Sequence, residues 1–487
     1  MNDSFFDDIE GHSLDKYQRK IIVDNSKYLL VVAGAGSGKT LTIIGKIKYL
    51  IEKKQYNSSE ILCISFTNET VNNLKSRLKY NIDIYTFHKF SLSILNDYNF
   101  QYNIVDDNFL NYVIDEYFEM IYYNDKKICS LLMEYFHVDN YLDIMPNDFI
   151  YLKNNVALFI KKIKCMGLTI ENLWDCFYKN KRNICHGKDT IFLIVAFSIY
   201  RIYMEELFSI NSIDFDDMII LANKIVQERK LKRKYRYIII DEFQDTSYMR
   251  YQLIMNVSKG LNTNIVCVGD DFQSIYEFSG CNLDLFVNFK KYFLSGKRLD
   301  IKTTYRNSYQ LIHITHSFIR KNRYQLRKNI NATFLLKYPI FLIYYETENY
   351  ETCFFNLIKY LNQENKKKVM VLGRYHKDLN FFCDKEYNDM DIRFLTVHES
   401  KGLECENIII LNMCDSYMGF PSKIMNDSVF ELIDNEQEKY PFAEERRLFY
   451  VALTRTKERV YIMVPKNNPS IFVDEIKSKC VELLFNE

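Results

Sequence analysis

The 487-residue sequence has few residues that break regular structure: 14 glycines, 6 prolines and one tryptophan. Since no tract rich in glycine or proline occurs, long flexible linkers are not expected. The sequence also lacks any run of 18 apolar residues, and its acidic start, MNDSFFDDIEG, has no apolar core of the kind a signal peptide needs. We therefore expect a cytoplasmic protein with no membrane partner.

An excess of charge of either sign is absent as well. There are 64 Lys and Arg against 63 Asp and Glu, so the formal net charge is +1. Composition alone therefore does not indicate nucleic-acid binding, and any surface that binds a nucleic acid must be a local patch of positive charge. The twelve cysteines are scattered without a C-x-x-C pair or a Cys/His cluster, which is typical of reduced thiols and argues against disulfides, zinc and iron–sulfur clusters.

The sequence is rich in apolar residues, at 48% of the chain. This content supports well-packed cores, and the length suggests about three domains at ~150 residues each. Strand and helix patterns alternate up to about residue 100, give way to long helical periodicity over 101–207, and then resume. This alternation predicts an α/β fold with parallel sheets. We expect a first domain of 1–100 and 208–296, a helical insert of 101–207 and a second domain of 297–487.

The stretch YLLVVAGAGSGKT, residues 28–40, organises the rest of the chain. It predicts a buried strand, a glycine-rich loop and a helix whose N-terminus favours a phosphate group. In such loops the lysine meets the β and γ phosphates of a nucleotide and the following hydroxyl binds Mg²⁺. A glycine-rich turn in an unrelated sheet is the alternative. The residues predicted to hold the nucleotide are Ala33, Gly34, Ala35, Gly36, Ser37, Gly38, Lys39 and Thr40.

Two later strands are also followed by polar residues. In YIIIDEFQD, the apolar strand leads into Asp241, which would hold Mg²⁺, and Glu242, which would orient and deprotonate a water molecule. Gln273 follows the next strand and is placed to sense a γ-phosphate. Arg306 and Arg455 carry the planar guanidinium that neutralises charge on phosphate oxygens. Taken singly, the carboxylates could equally be structural, and the arginines could be surface ion-pair partners.

Nine motifs occur in one order along the chain: AGAGSGKT, SFTNET, YTFHKF, DFDDMI, IIIDEFQDTS, VGDDFQSIYEFSG, TTYRNS, FLTVHESKGLE and EERRLFYVALTRTKERVYI. Together they resemble the superfamily 1 helicases of the UvrD/Rep type. The resemblance covers the whole chain except the helical insert. Within that family the chain looks most like the helicase IV group and the helicase-like subunit of the Gabija anti-phage system.

The resemblance implies two RecA-like domains with ATP and Mg²⁺ in the cleft between them. By motif position, Gln18 and Tyr305 would contact adenine, Glu404 would approach the ribose, and Arg306 and Arg455 would act as arginine fingers. Single-stranded or partly duplex DNA would cross both domains. The positions of this sequence that match the family's strand-contacting residues are Phe66, Thr67, His88, Tyr276, Phe278 and His398.

The sequence departs from the family pattern in several places. Leu41 stands where an arginine usually stacks on the base, Phe272 replaces an acid, and Ser279 replaces an arginine. Only about ninety residues separate Arg306 from Thr396, which leaves no room for the large accessory domain that full-length relatives insert there. These differences put base selectivity and the coupling of hydrolysis to DNA grip in question.

Two hypotheses of different kinds follow. The first is a DNA-dependent ATPase that translocates 3′ to 5′ on single-stranded DNA as a helicase, with the polarity taken from the resemblance alone. The second is an ATP-gated sensor of DNA ends that docks on a nuclease of a defence system without processive unwinding. A P-loop kinase or transport ATPase is disfavoured because Gln273, Arg306 and Arg455 all stand in helicase-type motifs.

Overall fold

The computed structural model describes residues 4–170, 172–173, 187–229, 231–259, 262–387, 389–424, 428–433 and 438–485. Its helices are Lys16–Val23 (α1), Lys39–Glu52 (α2), Asn68–Arg77 (α3), Phe87–Asp97 (α4), Asp107–Asn124 (α5), Lys126–Phe136 (α6), Pro146–Met166 (α7), Gly187–Ser209 (α8), Phe215–Arg229 (α9), Tyr248–Ser258 (α10), Asp284–Val287 (α11), Phe289–Tyr292 (α12), Tyr309–Ile319 (α13), Tyr350–Gln363 (α14), Asn380–Cys383 (α15), Ala443–Thr454 (α16) and Ile471–Ile476 (α17). Its strands are Tyr28–Ala33 (β1), Ile61–Ser65 (β2), Asp83–Thr86 (β3), Asn103–Ile104 (β4), Ser212–Ile213 (β5), Tyr237–Ile240 (β6), Asn264–Gly269 (β7), Lys297–Ile301 (β8), Thr303–Thr304 (β9), Asn331–Ala332 (β10), Ile340–Tyr345 (β11), Lys368–Gly373 (β12), Asp391–Thr396 (β13), Cys405–Ile410 (β14), Thr456–Pro465 (β15) and Val481–Glu482 (β16).

Two six-stranded sheets form the framework, and every strand pair in them is parallel. The first sheet has the order β3-β2-β6-β7-β1-β8, and the second has the order β13-β12-β14-β15-β11-β16. The α/β class with two parallel sheets is thereby confirmed. Since ligands of such sheets bind at the carboxyl ends of the strands, we expect the loops after β1, β6 and β7 to line the ligand site of the first lobe.

One strand lies in a different sheet from the one its sequence position suggested. We expected the second domain to begin at residue 297, but β8 pairs with β1, with Leu29 opposite Lys297 and Ala33 opposite Ile301. The strand completes the edge of the first sheet, where the apolar β1 would otherwise lack a neighbour on one side. The crossover to the second sheet therefore lies after Ile301, and the boundary at 297 is too early.

The helical insert packs α5, α6, α7 and α8 around a core of its own. Its two ends are held together where β4 pairs with β5. A short segment of the second lobe, Ser428–Leu432, enters this core: Val429 and Phe430 are fully buried there. The Phe430 ring lies 5.8 Å from that of Phe159, and Ser428 donates a hydrogen bond to Asp189. We call Ser428–Ile433 the clasp, because it connects the second lobe to the insert of the first.

Within the described ranges, no helix combines the length and apolar character needed to cross a bilayer. The 23-residue α8 is the most apolar of the long helices, and most of its apolar side chains are buried inside the insert. Its hydrophobicity therefore reflects a helix surrounded by protein on most sides.

Candidate nucleotide and nucleic-acid site

The glycine-rich loop after β1 adopts backbone angles that favour glycine. The φ angles of Gly36 and Gly38 are +65° and +78°. A Cβ on Gly36 would lie 2.2 Å from the Cβ of Arg306, and one on Gly38 would lie 2.8 Å from the Nε2 of Gln18. The hydroxyl of Ser37 is buried without a hydrogen-bond partner among the described residues. The loop therefore turns tightly and leaves a polar atom for a ligand to satisfy.

The segment between the two lobes is fastened to this loop. The Ala35 carbonyl accepts a hydrogen bond of 2.7 Å from the Thr304 hydroxyl, and the Gly36 carbonyl accepts one of 2.9 Å from the Tyr305 amide. Ala33 ends β1, Gly34 follows it, and Lys39 and Thr40 begin α2. Movement of the second lobe can therefore reach the loop through hydrogen bonds to its backbone.

Lys39 of the loop and Glu242 after β6 form the centre of the site. The Lys39 Nζ lies 2.8 and 2.9 Å from the two carboxylate oxygens of Glu242. Glu242 has a left-handed backbone with a φ of 50°, which is uncommon for a residue other than glycine and is found at functional sites. Its amide donates to Asp241 Oδ1 at 3.0 Å, and Gln244 donates to its carboxylate at 2.7 Å.

The charges of this centre shift one another's pKa values. Burial acts to raise the pKa of Glu242, but Lys39 and Lys401 outweigh burial and lower it to about 2. Burial also acts to lower the pKa of Lys39, yet the neighbouring carboxylates raise it. Burial, together with the charge of Glu242, raises the pKa of Asp241 to about 7. The site therefore holds an ionised Glu242, the form that can accept a proton from water.

The second lobe supplies two arginines to the same cleft. Arg455 is 2% exposed, and its Nη2 donates to the Oε1 of Gln273 at 2.9 Å, while the Nε2 of Gln273 donates to Asp270 at 2.6 Å. Arg306 is held by Glu404, 2.7 Å from its Nη2. Burial and the charge of Arg306 lower the pKa of Arg455 to about 9. Two positive charges therefore lie close together, and a bound polyanion would relieve the repulsion between them.

Gln18 and Tyr305 lie at the other end of the cleft. Gln18 is buried; its Oε1 accepts from the Asp15 amide at 3.0 Å, while its Nε2 has no hydrogen-bond partner among the described residues. The hydroxyl of Tyr305 donates to Asp15 at 3.3 Å. Leu41 lines the cleft with them, and Glu404 also pairs with Lys457 at 2.5 Å.

These residues surround one cleft of about 1030 Å³. A nucleotide fits it on three observations: the tight glycine loop, a lysine neutralised by a carboxylate, and buried polar atoms of Gln18 and Ser37 that lack partners. The described residues contain no group of three or more His, Cys, Asp and Glu side chains arranged for a metal ion. Mg²⁺ does not need one, because it keeps several waters and takes one or two protein ligands beside phosphate oxygens. Asp241 and Thr40 line the cleft and suit that role.

A row of aromatic rings runs across both lobes near the cleft. The rings of Phe66 and Tyr276 are stacked at 5.5 Å with an angle of 13°. His398 of the second lobe lies 5.6 Å from Phe278 and 6.3 Å from Tyr276. The sequence-predicted residues Phe66, Tyr276, Phe278 and His398 therefore meet at one place. Such rings can stack on bases of any sequence.

Thr67 and His88 stand apart from that row. The Thr67 hydroxyl caps α3 by accepting from the Thr70 amide at 3.2 Å. His88 packs against Phe215, with ring centres 5.3 Å apart, and Phe215 is 44% exposed. Burial is the main cause that lowers the pKa of both His88 and His398 to about 4, so both imidazoles are neutral near pH 7.

Residue-level reasoning missed Lys401 and Phe215, although both lie inside the quoted motifs HESKGLE and DFDDMI. The Nζ of Lys401 lies 4.5 Å from the centre of the Tyr276 ring, donates to the Gln273 carbonyl at 2.7 Å and pairs with Asp245 at 2.5 Å. Lys401 of the second lobe thus contacts both the predicted γ-phosphate sensor and the aromatic row. The available signals were a lysine in one motif and a phenylalanine in the other, but a lone lysine is usually a solvated surface residue.

The site combines three features: a glycine loop ending in Lys39, a carboxylate pair, and arginines from a second lobe with its own parallel sheet. This combination defines a P-loop nucleotide-hydrolysing protein of the two-lobed motor class. Family comparison agrees and is more specific. Residues 14–294, more than half of the chain, match the UvrD/REP helicase N-terminal domain, and residues 382–467 match the UvrD-like helicase C-terminal domain. The chain belongs to the UvrD/REP helicase family, a class of DNA helicases.

Several relatives are similar over long stretches. DNA helicase IV of Escherichia coli is 26% identical over 498 residues, which cover 97% of this chain and 71% of that protein. A probable DNA helicase II homolog of Mycoplasma capricolum is 30% identical over 65% of this chain and 42% of its own length. The ATP-dependent DNA helicase Rep of Buchnera aphidicola is 29% identical over 80% of this chain and 56% of its own length. The chain thus spans only about half the length of the latter two relatives.

Proposed function

We propose that the chain is an ATP-driven translocase on single-stranded DNA that moves 3′ to 5′ and separates strands. The observation that carries the proposal is the cleft in which Lys39 and Glu242 of one lobe face Arg455 of the other. Because the groups that hold a nucleotide and the groups that trigger its hydrolysis belong to different lobes, turnover can be coupled to lobe movement. The polarity is proposed from family resemblance, and the division into first lobe, insert and second lobe from the two sheets.

In this proposal Lys39 and the loop amides hold the β and γ phosphates, while Gln18 and Tyr305 face the adenine. Bound Mg²⁺, held through Thr40 and Asp241, supplies charge neutralisation at the phosphates. Glu242, ionised because of Lys39 and Lys401, orients the attacking water and takes its proton. Arg306 can reach a phosphate only after its ion pair with Glu404 breaks. Glu404 would then contact the ribose or solvent.

The DNA strand would cross the aromatic row. Phe66 and Tyr276 belong to the first lobe and His398 to the second, so a strand lying on all three contacts both lobes. Lys401 supports coupling between this row and the cleft, because it contacts the Gln273 backbone and the Tyr276 ring. Closure of the cleft would therefore change the spacing of the rings that grip the bases.

The test is the rate of ATP hydrolysis by the full chain with Mg²⁺, measured with and without single-stranded DNA. We expect the rate to rise with DNA and to fall to background in Lys39→Ala and Glu242→Gln. Because Gln preserves the shape of Glu242 but cannot take a proton, E242Q should still bind ATP. A rate unchanged by DNA would contradict the motor, and full activity in E242Q would contradict the assigned base.

A second function is favoured by one observation. Only about ninety residues separate Arg306 from Thr396, so a large accessory domain is missing there. The chain could act instead as an ATP-gated sensor of DNA ends that docks on a nuclease of a defence system. DNA-stimulated hydrolysis without strand separation of a tailed duplex, together with copurification of a nuclease, would favour the sensor. Strand separation by the isolated chain would favour the helicase.

A further inference from the structure

Lys328 is a buried lysine outside the predicted site. Its side chain is 2% exposed, and its Nζ pairs with the carboxylates of Asp270 and Asp271, both fully buried. The distance to Asp271 is 2.5 Å. The ammonium group also lies 3.6 Å from the centre of the Phe272 ring. One lysine therefore pairs with two adjacent carboxylates in the loop that leads to Gln273.

A chain of hydrogen bonds runs from this lysine to the arginine of the second lobe. Lys328 bonds the Oδ1 of Asp270, whose Oδ2 accepts from the Nε2 of Gln273 at 2.6 Å. The Oε1 of Gln273 in turn accepts from Arg455 at 2.9 Å. Each end of the Gln273 amide therefore has its own partner. The NH₂ group can only donate, and it donates to the carboxylate; the oxygen can only accept, and it accepts from the guanidinium.

The segment that carries Lys328 connects the two lobes. It follows α13 of the second lobe and lies on the loop after β7 of the first, where the Leu326 amide donates to Asp271 at 2.8 Å. Phe272 also packs against two second-lobe rings, with Tyr450 at 5.4 Å and His316 at 5.6 Å. Lys328 thus lies where the two lobes meet, with Asp270 between it and the predicted γ-phosphate sensor Gln273.

We propose that Lys328 is a positioning residue that fixes the side chain of Gln273 for its reading of the γ-phosphate, acting through Asp270. The inference rests on the proposed ATP hydrolysis and adds to it a residue that touches neither nucleotide nor DNA. Without the ammonium group, Asp270 is left buried without its cation, and it must take up a proton or turn toward water. Either change removes the fixed acceptor that orients the Gln273 amide.

The test compares Lys328→Met with Lys321→Met in the full chain. Lys321 is the matched control because it lies in the same segment but pairs with Glu475 at 2.7 Å on the surface. We expect K328M to lower kcat by about tenfold or more and to change KM for ATP by less than about threefold, since a misplaced sensor affects the chemical step. We expect K321M to stay within about twofold of wild type.

A double-mutant cycle separates positioning from simple destabilisation. In a Gln273→Ala background, K328M should lower kcat by less than about twofold, because the side chain it positions is gone. Should K328M fold poorly, the variant Lys328→Met with Asp271→Asn, which keeps one buried carboxylate instead of two, should fold and show the same loss of kcat. Lys328→Arg, which keeps the charge, should recover part of the rate.

Two results would overturn the inference alone. One is a folded K328M or K328M/D271N with wild-type kcat, and the other is an equal loss of kcat in the Gln273→Ala background, which would show that Lys328 acts independently of Gln273. A wild-type chain that does not hydrolyse ATP would overturn the proposed function and this inference together. The failure of the inference is therefore distinguishable from the failure of the function on which it rests.

Discussion

Arg455 of the second lobe donates a hydrogen bond of 2.9 Å to the side-chain oxygen of Gln273 in the first lobe. Both residues are buried, so this bond crosses between the lobes away from water. It ties the predicted arginine finger to the predicted γ-phosphate sensor. A phosphate group entering between Lys39 and Arg455 would compete with Gln273 for the guanidinium. Binding of a nucleotide would therefore change this contact between the lobes.

The aromatic row predicts how the chain holds DNA. Tyr276→Ala removes the ring that contacts Phe66, Phe278 and His398. Because stacking contributes about 1–3 kcal/mol per base, we expect the DNA concentration for half-maximal ATPase to rise about 5- to 150-fold. Tyr338→Ala is the control, since Tyr338 is exposed and precedes β11, which three strands separate from the β13 that leads to His398. Equal DNA responses of the two variants would refute the assignment of this row.

The insert is anchored by a buried ion pair. Lys164, with a side chain only 1% exposed, lies 2.5 Å from Asp214 and 2.8 Å from Asp217. Lys164→Met leaves two carboxylates buried without their cation, so the unfolding free energy should fall by about 3–5 kcal/mol. Lys153→Met breaks a surface pair with Asp115 and should change it by less than about 1 kcal/mol. Denaturant unfolding measures both, and similar values would contradict the anchoring role.

The clasp predicts that the insert depends on the second lobe. Phe430 is 1% exposed and packs on Phe159 and Phe192 inside the insert. Phe430→Ala should lower stability by about 3–5 kcal/mol. Hydrogen exchange should quicken in α7 and α8 while β1 and β7 stay protected. Phe208→Ala, at an insert position that is 89% exposed, should leave exchange unchanged. Protection of α7 and α8 equal to wild type in F430A would contradict the contact.

Glu444 predicts a pH dependence of stability. Its Oε1 accepts from the Glu277 amide at 2.9 Å, and burial together with the charge of Glu277 raises the pKa of Glu444 to about 7. The folded protein therefore holds this proton in a range where the unfolded chain, with an ordinary glutamate pKa of about 4.3, has lost it. This contribution to stability is full at low pH and is lost as pH rises through 7.

Glu444→Gln keeps the acceptor and removes the titration. We expect the unfolding free energy of wild type to decline more between pH 5 and pH 8 than that of E444Q. Denaturant midpoints at the two pH values give the comparison. A decline of the same size in both proteins would show that Glu444 is not the group responsible.

The sequence predicted those parts of the molecule that local patterns determine. YLLVVA reads as a buried strand and GAGSGKT as a phosphate loop because strand burial and glycine conformation depend on neighbouring residues. The long helices after residue 100 were predicted for the same reason, from their helical periodicity. The second-sheet membership expected for β8 was wrong, because which sheet a strand joins depends on partners far away in the chain.

Long-range contacts explain the other omissions. Phe272 replaces an acid of the family pattern, and nothing nearby in sequence shows that it packs with second-lobe residues. Lys328 and Lys401 are ordinary lysines until the fold places them against carboxylates and a ring. Val429 and Phe430 form a short apolar stretch whose partners lie more than two hundred residues earlier. In each case the side chain acquires its role only through tertiary packing.

The central claim is that one lobe holds the nucleotide and the other triggers its hydrolysis. The most direct test is to measure ATP affinity and kcat for Arg455→Ala beside wild type. Since arginine fingers contribute about a thousandfold or more to such reactions, we expect kcat to fall by about that factor while ATP affinity, set by the loop around Lys39, changes only severalfold. A variant that binds ATP and keeps most of the wild-type kcat would contradict the claim.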